Sequence, residues 1–440
     1  MYRAIRTISI ATLLSIASPL AAAAAERLCD TQYEDCRAPI LSLIRNEQLG
    51  IDVAFWFMED YRYAQELINR HNQGVPVRVL VDECANDTHP RNTELLDFLR
   101  TNGIPMREKF IVGDILHFKM MLFHGQNVVE FSKANYTPYA YVPVVPNVDY
   151  QQEAVFFTDD DNLTNSFRRR FDDLWVNTSQ FRNDANVSGP PVRRYTWLGP
   201  ESIHRSMDFP PLEDFAVRSV NRYNAETDGI DVISFRITDD RQSDGLLAAI
   251  GRGVAVRLLV DPSDYRDPER LWHSKHVDRL WYGGAQVRSR RHQGIMHQAS
   301  VVLHGLGEVI FGSSNLTVAS ANRQDEHNYF YDPSLGKPWF FQWFADQFER
   351  KWNDTVGSEP FQPLPPGTPT YVSPSTSASD LSSSVTLTWD GGTWAHLYDV
   401  YLGTTPTPPA IATNVQLGSP VAGVHETYTV DNLLPGTTYY

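Results

Sequence analysis

The sequence predicts an α/β protein made of two copies of one unit, followed by a small C-terminal all-β sandwich fragment. Three observations carry that prediction. The chain repeats itself: Gly50-Ile51-Asp52-Val53 recurs as Gly229-Ile230-Asp231-Val232. Likewise Gly74-Val75-Pro76-Val77-Arg78-Val79-Leu80-Val81-Asp82 recurs as Gly253-Val254-Ala255-Val256-Arg257-Leu258-Leu259-Val260-Asp261, both offset by 179 residues. Each copy runs from a β-rich stretch (Val53 to Phe57; Val232 to Ile237) through a helical one (Tyr63 to His71; Gly245 to Ile250) to a Val/Leu-rich strand ending in Asp. Apolar runs without alternation are what strands covered on both faces look like, and strand–helix–strand order implies a parallel or mixed sheet under helices. Finally, 440 residues with 42% hydrophobic and 21% charged composition exclude a disordered, fibrous or single-module protein.

The elements follow in order. Arg3 and Arg6, an apolar stretch from Ile8 to Leu20 and an alanine run to Ala25 have the layout of a secretory signal over residues 1–25. That apolar core is shorter than the ~20 residues of a spanning helix. Removing the two arginines takes the formal charge from -15 to -17. A secreted or periplasmic location follows, where Cys29 and Cys36 can close a small loop and leave Cys84 unpaired; the alternative is three reduced thiols. The first unit spans 26–190 and the second 191–356. Their closing helices, Phe167 to Trp175 and Trp343 to Trp352, carry Phe171/Trp175 and Phe348/Trp352 four residues apart on a core-facing side. Residues 357–384, rich in Pro, Ser and Thr, read as a linker. In 385–440, Val385 to Trp389, Tyr398 to Leu402 and Leu434 to Tyr439 read as strands.

The chemistry-bearing residues also repeat. Ile115 to Phe123 reads as a strand, and period two puts His117 and Lys119 on one face with Met121 and Phe123. The second copy places His297, Ala299, Val301 and Leu303 on the matching face, at an offset of 180. Turn-like segments follow, Ser132-Lys133-Ala134-Asn135 and Gly312-Ser313-Ser314-Asn315, and each copy then has a carboxylate, Glu153 or Glu326, ahead of an apolar run. An imidazole can serve as nucleophile or proton donor near neutral pH, and a carboxylate on its far nitrogen fixes the tautomer. Lys and Asn can hold phosphoryl oxygens. Asp82 and Asp261 end equivalent strands, but no spacing of His, Asp and Glu supports a metal cage.

These paired units, over residues 40 to 355, resemble the two half-sites of the phospholipase D superfamily, whose signature is His-x-Lys, four residues, Asp, then Gly-Ser-x-Asn. The resemblance implies two α/β sandwich halves related by a pseudo-dyad, with both imidazoles facing one phosphate, a phosphohistidine intermediate, no metal and no cofactor. Carried onto this chain, it makes His117 and His297 the nucleophile and acid/base pair, with His117 preferred as nucleophile because its half retains Lys. Lys119, Asn135, Asn315 and Ser313 hold the phosphate, and Glu153 and Glu326 orient the imidazoles. The chain departs from the pattern in four places, the last a pair of residues. Ala299 replaces the second Lys, which is expected to lower activity ~10²-fold or more. His124 and His304 stand at the Asp positions, where a structural role is expected. Ser132-Lys133 replaces Gly-Ser, and Lys133 is expected to restore part of the missing charge. The C-terminal module resembles a truncated fibronectin type III sandwich, with Trp389 as its buried aromatic and Leu434 to Tyr439 as its tyrosine corner.

The expected substrate is a phospholipid or another phosphodiester, with contact at a membrane surface. Nucleic acid is the second choice, because the net negative charge repels polyanions and only Arg288, Arg290, Arg291 and His292 form a local basic run near the site. Arg168 to Arg170 read as a solvated helix face. A degenerate, phosphate-binding non-enzyme is the third reading.

Overall fold

The computed structural model of the chain describes residues 26–195, 203–415 and 425–440; the expected signal segment lies outside the described residues. The first half runs β1 (Arg27–Asp30), α1 (Arg37–Asn46), β2 (Ile51–Phe55), α2 (Tyr61–Asn72), β3 (Val77–Asp82), α3 (Ala85–Thr88), α4 (Pro90–Thr101), β4 (Met106–Lys109), β5 (Lys119–Phe123), β6 (Val128–Ser132), β7 (Ala154–Thr158), α5 (Asp161–Val176) and β8 (Phe181–Ala185). The second runs β9 (Met207–Asp208), α6 (Phe215–Ala225), β10 (Gly229–Ser234), α7 (Asp240–Gly251), β11 (Ala255–Val260), α8 (Pro262–Tyr265), α9 (Leu271–Tyr282), β12 (Gln286–Arg290), β13 (Ser300–Leu303), β14 (Glu308–Gly312), α10 (Val318–Asn322), β15 (Asn328–Tyr331), α11 (Pro338–Trp352) and β16 (Ser358–Pro360). The C-terminal module contributes β17 (Thr370–Ser373), β18 (Val385–Asp390), β19 (Tyr398–Tyr401), β20 (Ala410–Val415) and β21 (His425–Val430).

Each half builds an eight-stranded mixed sheet, ordered β1-β7-β6-β5-β2-β3-β4-β8 and β16-β12-β11-β10-β13-β14-β15-β9. The repeated segments occupy the same register: Ile51 pairs with Val77 in parallel, as Ile230 pairs with Val256. Asp60 and Asp239, again 179 apart, cap α2 and α7 by accepting the backbone N–H groups of Arg62 and Arg241. Three cores result. One lies under α1, α2 and α4, and its counterpart lies under α6, α7 and α9. The third is shared, because Phe131 and Phe156 of the first sheet meet Phe311 and Tyr329 of the second, flanked by Phe167 of α5 and Phe340 and Phe344 of α11. Both faces of each sheet are thus buried, which explains the continuous apolar runs. The closing helices are held alike. Arg78 lies over Phe171 and Trp175 at 4.9 and 5.2 Å, and Arg257 lies over Phe348 and Trp352 at 4.9 and 5.4 Å.

Cys29 and Cys36 form a disulfide joining the end of β1 to the start of α1, and Cys84 is free. Two readings of the C-terminal region are corrected. Residues 357–384 are not a plain linker: Ser358–Pro360 forms β16, the edge of the second sheet, Phe361 is buried in the second half's core, and Thr370–Ser373 pairs with β18. Their Pro/Ser/Thr content hid two edge strands, where proline is tolerated because no ladder donor is required on the open side. Leu434 to Tyr439 is not a strand, since Pro435-Gly436 turns the chain, with Gly436 at φ 66°, and the Leu434 N–H donates to the Tyr439 hydroxyl at 3.0 Å. Beyond β18 and β19 the module's strands are β17 and β21, which flank β18 antiparallel, and β20, which pairs with β19. Trp389 is buried and meets Tyr398 at 5.4 Å between ring centroids.

The halves are locked by buried charge. Asp325 accepts from Lys109 at 2.5 Å and from Arg170 at 2.7 Å, both of the first half. Arg170 is therefore an interface residue and not part of a solvated face. Removing one partner of a buried ion pair strands the others without water. Asp325→Asn is expected to cost about 3–5 kcal/mol, read as a lower urea midpoint at unchanged m-value.

Candidate active site

The two histidines do not sit in the strands the alternation assigned to them. β5 begins at Lys119 and β13 at Ser300, and each imidazole lies in the extended lead-in just before. There the backbone bonds to the opposite half. The His117 N–H donates to the Asp325 carbonyl at 2.8 Å, and the His297 N–H donates to the Gln152 carbonyl at 3.2 Å. Period-two reading cannot separate such a cross-half bridge from a continued strand. Each lead-in is also tethered to its own sheet, because Asp82 accepts the Leu116 N–H at 2.6 Å and Asp261 accepts the Met296 N–H at 2.5 Å. These strand-end aspartates fix the backbone beside each histidine.

Asp325 and Gln152 immediately precede Glu326 and Glu153, so the same bridges deliver the carboxylates. His117 Nδ1 bonds Glu326 at 2.8 Å, and His297 Nδ1 bonds Glu153 at 2.6 Å. The expected carboxylate–imidazole partnership is present, and it is crossed: each glutamate serves the histidine of the other half. Ser313 was expected at the phosphate, but its hydroxyl donates to Glu326 at 2.6 Å and accepts from the His327 N–H, so it steadies the glutamate. At the equivalent turn position of the first half stands Lys133, fully buried, whose Nζ donates across the interface to Asn315 Oδ1 at 2.7 Å. Lys119 Nζ donates to the His117 carbonyl at 2.9 Å. Asn135 is buried, and its Oδ1 has no hydrogen-bond partner among the described residues.

These groups share one electrostatic environment, since the charges of Lys119 and Lys133 reach both imidazoles. Burial pulls His117 down to about 4 against the opposing pull of Glu326, and burial likewise lowers His297 against Glu153. Burial brings Lys119 down to about 7 and Lys133 down to about 8. Glu326 is pushed up by burial, but His117, Lys119 and Ser313 outweigh that and hold it below its ordinary value. Ala299 is buried and brings no charge, so two lysines face two glutamates, both lysines coming from the first half.

Several contributors went unread in the sequence. Trp56 flanks His117 at 5.5 Å between ring centroids, and Phe235, 179 residues on, flanks His297 at 5.2 Å; the repeat offset was the signal that could have found them. His327 Nε2 accepts the Lys119 N–H at 3.2 Å. His124 and His304 bond Asp52 and Asp231 at 2.7 and 2.6 Å, matching the structural role expected of them. Most of the basic run is engaged within the fold, while Arg291 stays exposed in a surface pair. Arg288 bonds Ser358, buried Arg290 donates to the carbonyls of Tyr150 and Gln293, Arg291 pairs with Glu359, and His292 pairs with Asp354.

The fold is that of the phospholipase D superfamily. A polyphosphate kinase from Porphyromonas gingivalis superposes with a TM-score of 0.52 at 15% identity, covering 76% of this chain and 48% of that one, so this chain spans about half its length. A phosphatidylserine synthase from Haemophilus influenzae superposes with a TM-score of 0.56 at 13% identity, covering 77% of this chain and 88% of that one. Residues 40–175 and 223–352, more than half of the chain, match the family model described as cardiolipin synthase, PLD-like domain, and the chain belongs to that family. A search of curated protein sequences finds no match.

The crossed pairing has a direct test. Glu326 raises the affinity of His117 for its proton and Glu153 does the same for His297. By NMR titration, Glu326→Gln is expected to lower the His117 pKa further, and Glu153→Gln that of His297. Pairing within each half would exchange the two results.

Proposed function

We propose that the protein is an exported phospholipase D-like phosphodiesterase that hydrolyses a phospholipid headgroup diester, or transfers its phosphatidyl group to an alcohol, through a phosphohistidine. The observation that carries this reading is the pair of imidazoles, each held at Nδ1 by a glutamate of the opposite half. Both Nε2 atoms are thereby left for chemistry. His117 Nε2, unprotonated near neutral pH, attacks phosphorus while His297 gives a proton to the departing headgroup oxygen; the P–O bond breaks as the N–P bond forms. Water or an acceptor alcohol then loses a proton to His297 and attacks phosphorus, releasing His117. Lys119, Lys133 and the amides of Asn135 and Asn315 hold the phosphoryl oxygens, with Lys133 in place of the cation that Ala299 lacks. An arriving phosphate anion raises the proton affinity of His297, which supplies the acid.

The family description names the synthase of a phospholipid, and of the basic run that favoured nucleic acid Arg288, Arg290 and His292 are engaged in internal contacts, leaving Arg291 exposed. The disulfide supports export to an oxidising compartment.

Quenching turnover of a slow diester and mapping the phosphorylated peptide is expected to place the label on His117; label on neither histidine sinks the proposal. With chelator present, phospholipid is expected to be cleaved in preference to DNA. Lys133→Ala is expected to reduce kcat/KM about 10²-fold, the usual cost of removing a transition-state contact, and unchanged turnover would leave the Ala299 deficit uncompensated. The lysines act as cations, so kcat/KM should fall as pH rises through about 7 to 8, where Lys119 and Lys133 give up their protons.

A further inference from the structure

The halves differ most in the connection that carries the glutamate. From Asn315 to Glu326 is 11 positions, whereas from Asn135 to Glu153 is 18, so the first half has seven additional residues between equivalent site residues. The longer connection is chemically distinct. Residues 136–148 contain no Asp, Glu, Lys or Arg in a chain that is 21% charged. Tyr139, Val144, Val145 and Val148 are 61%, 53%, 47% and 50% exposed. A lone exposed valine is ordinary, but a contiguous uncharged tip is not.

This tip is built, not loose. Val145 and Asp149 exchange backbone hydrogen bonds at 2.9 and 3.0 Å, closing a hairpin-like turn, and the Asn147 N–H donates to the Gln32 carbonyl at 3.2 Å beside exposed Tyr33. Its return limb pairs with the second half at Asp149↔Gln293 and Gln152↔Met296. That limb leads straight into Glu153 and its partner limb into His297. Val148 and Glu153 are five residue steps apart, about 16 Å if the chain between them is extended.

We infer that this tip docks on a zwitterionic lipid bilayer, so that the limb leading into Glu153 is anchored at the lipid surface. The inference rests on the phospholipid reading of the site. Apolar side chains on an ordered turn enter an interface without paying to order the chain, and tyrosine favours the headgroup level. The net charge of -15 repels anionic membranes, which selects a surface without net charge.

The test uses the full chain and a V144S/V145S/V148S variant, with an unchanged melting temperature as the control for folding. Wild type is expected to sediment with phosphatidylcholine vesicles, and the variant at least tenfold less. A V145W variant should shift its fluorescence to the blue on the same vesicles. Turnover of vesicle lipid should fall with binding, while turnover of a monomeric short-chain phosphatidylcholine stays within twofold. Equal vesicle binding by wild type and variant overturns the inference, and so does a wild type that ignores vesicles but forms a dimer the variant dissolves. Loss of binding in the variant, with neither lipid form turned over by wild type, leaves the docking surface standing and refutes the phospholipid substrate.

Discussion

An imidazole that must present one nitrogen to a phosphorus atom needs its other nitrogen held, and here the holding group belongs to the other half. Glu326 grips His117 and Glu153 grips His297, both through bridges in which the backbone of one half completes that of its counterpart. Neither half orients its own site histidine by itself. The site is therefore a property of the interface, and the shared core of Phe131, Phe156, Phe311 and Tyr329 aligns it by burying the two sheet faces against each other. A slip of the halves would break both imidazole–carboxylate bonds at once and expose that core, so folding free energy and site geometry are coupled.

Burying six ionisable groups together is costly unless their charges balance. Lys119 and Lys133 balance Glu153 and Glu326, with the imidazoles neutral. Internal symmetry shows how the balance survives the loss of a lysine. Position 119 matches 299 and position 133 matches 313, so the first half has Lys and Lys where the second has Ala and Ser. The second cation stands in the turn of the first half and not in the strand lead-in of the second, and the Lys133–Asn315 bond carries it over the dyad. The result is an asymmetric cradle inside a symmetric fold, with both cations on the His117 side of the chain.

Much of this was legible because the chain is duplicated. A register kept over 180 residues fixes which strands and turns correspond, and it identified His117, His297, Asn135 and Asn315 before any coordinate. The crossing was not legible, since sequence spacing carries no information on which glutamate approaches which ring. The cross-half bridges at His117 and His297 looked like continued strands because extended backbone alternates in the same way whatever it bonds to. Edge strands β16 and β17 were lost in proline-rich composition, and Ser313 was read as a phosphate ligand because its bond to Glu326 depends on a fold-back of 13 residues.

The two halves have also divided the remaining work. The second half carries the C-terminal module on α8 and α9, where Trp394 donates to the Tyr265 carbonyl at 3.2 Å and His396 meets Asp278 at 3.2 Å. The first half carries the cations and the uncharged tip. A pseudo-dyad fold tolerates this because its shared core constrains only the inward sheet faces. Connections outside that core, such as the one from Asn135 to Glu153, can lengthen without disturbing the bridge at Gln152, provided both ends remain in register. The seven extra residues enter where length is free and return to the interface just before the carboxylate, so the surface of the protein could change its chemistry while the imidazole it serves kept its place.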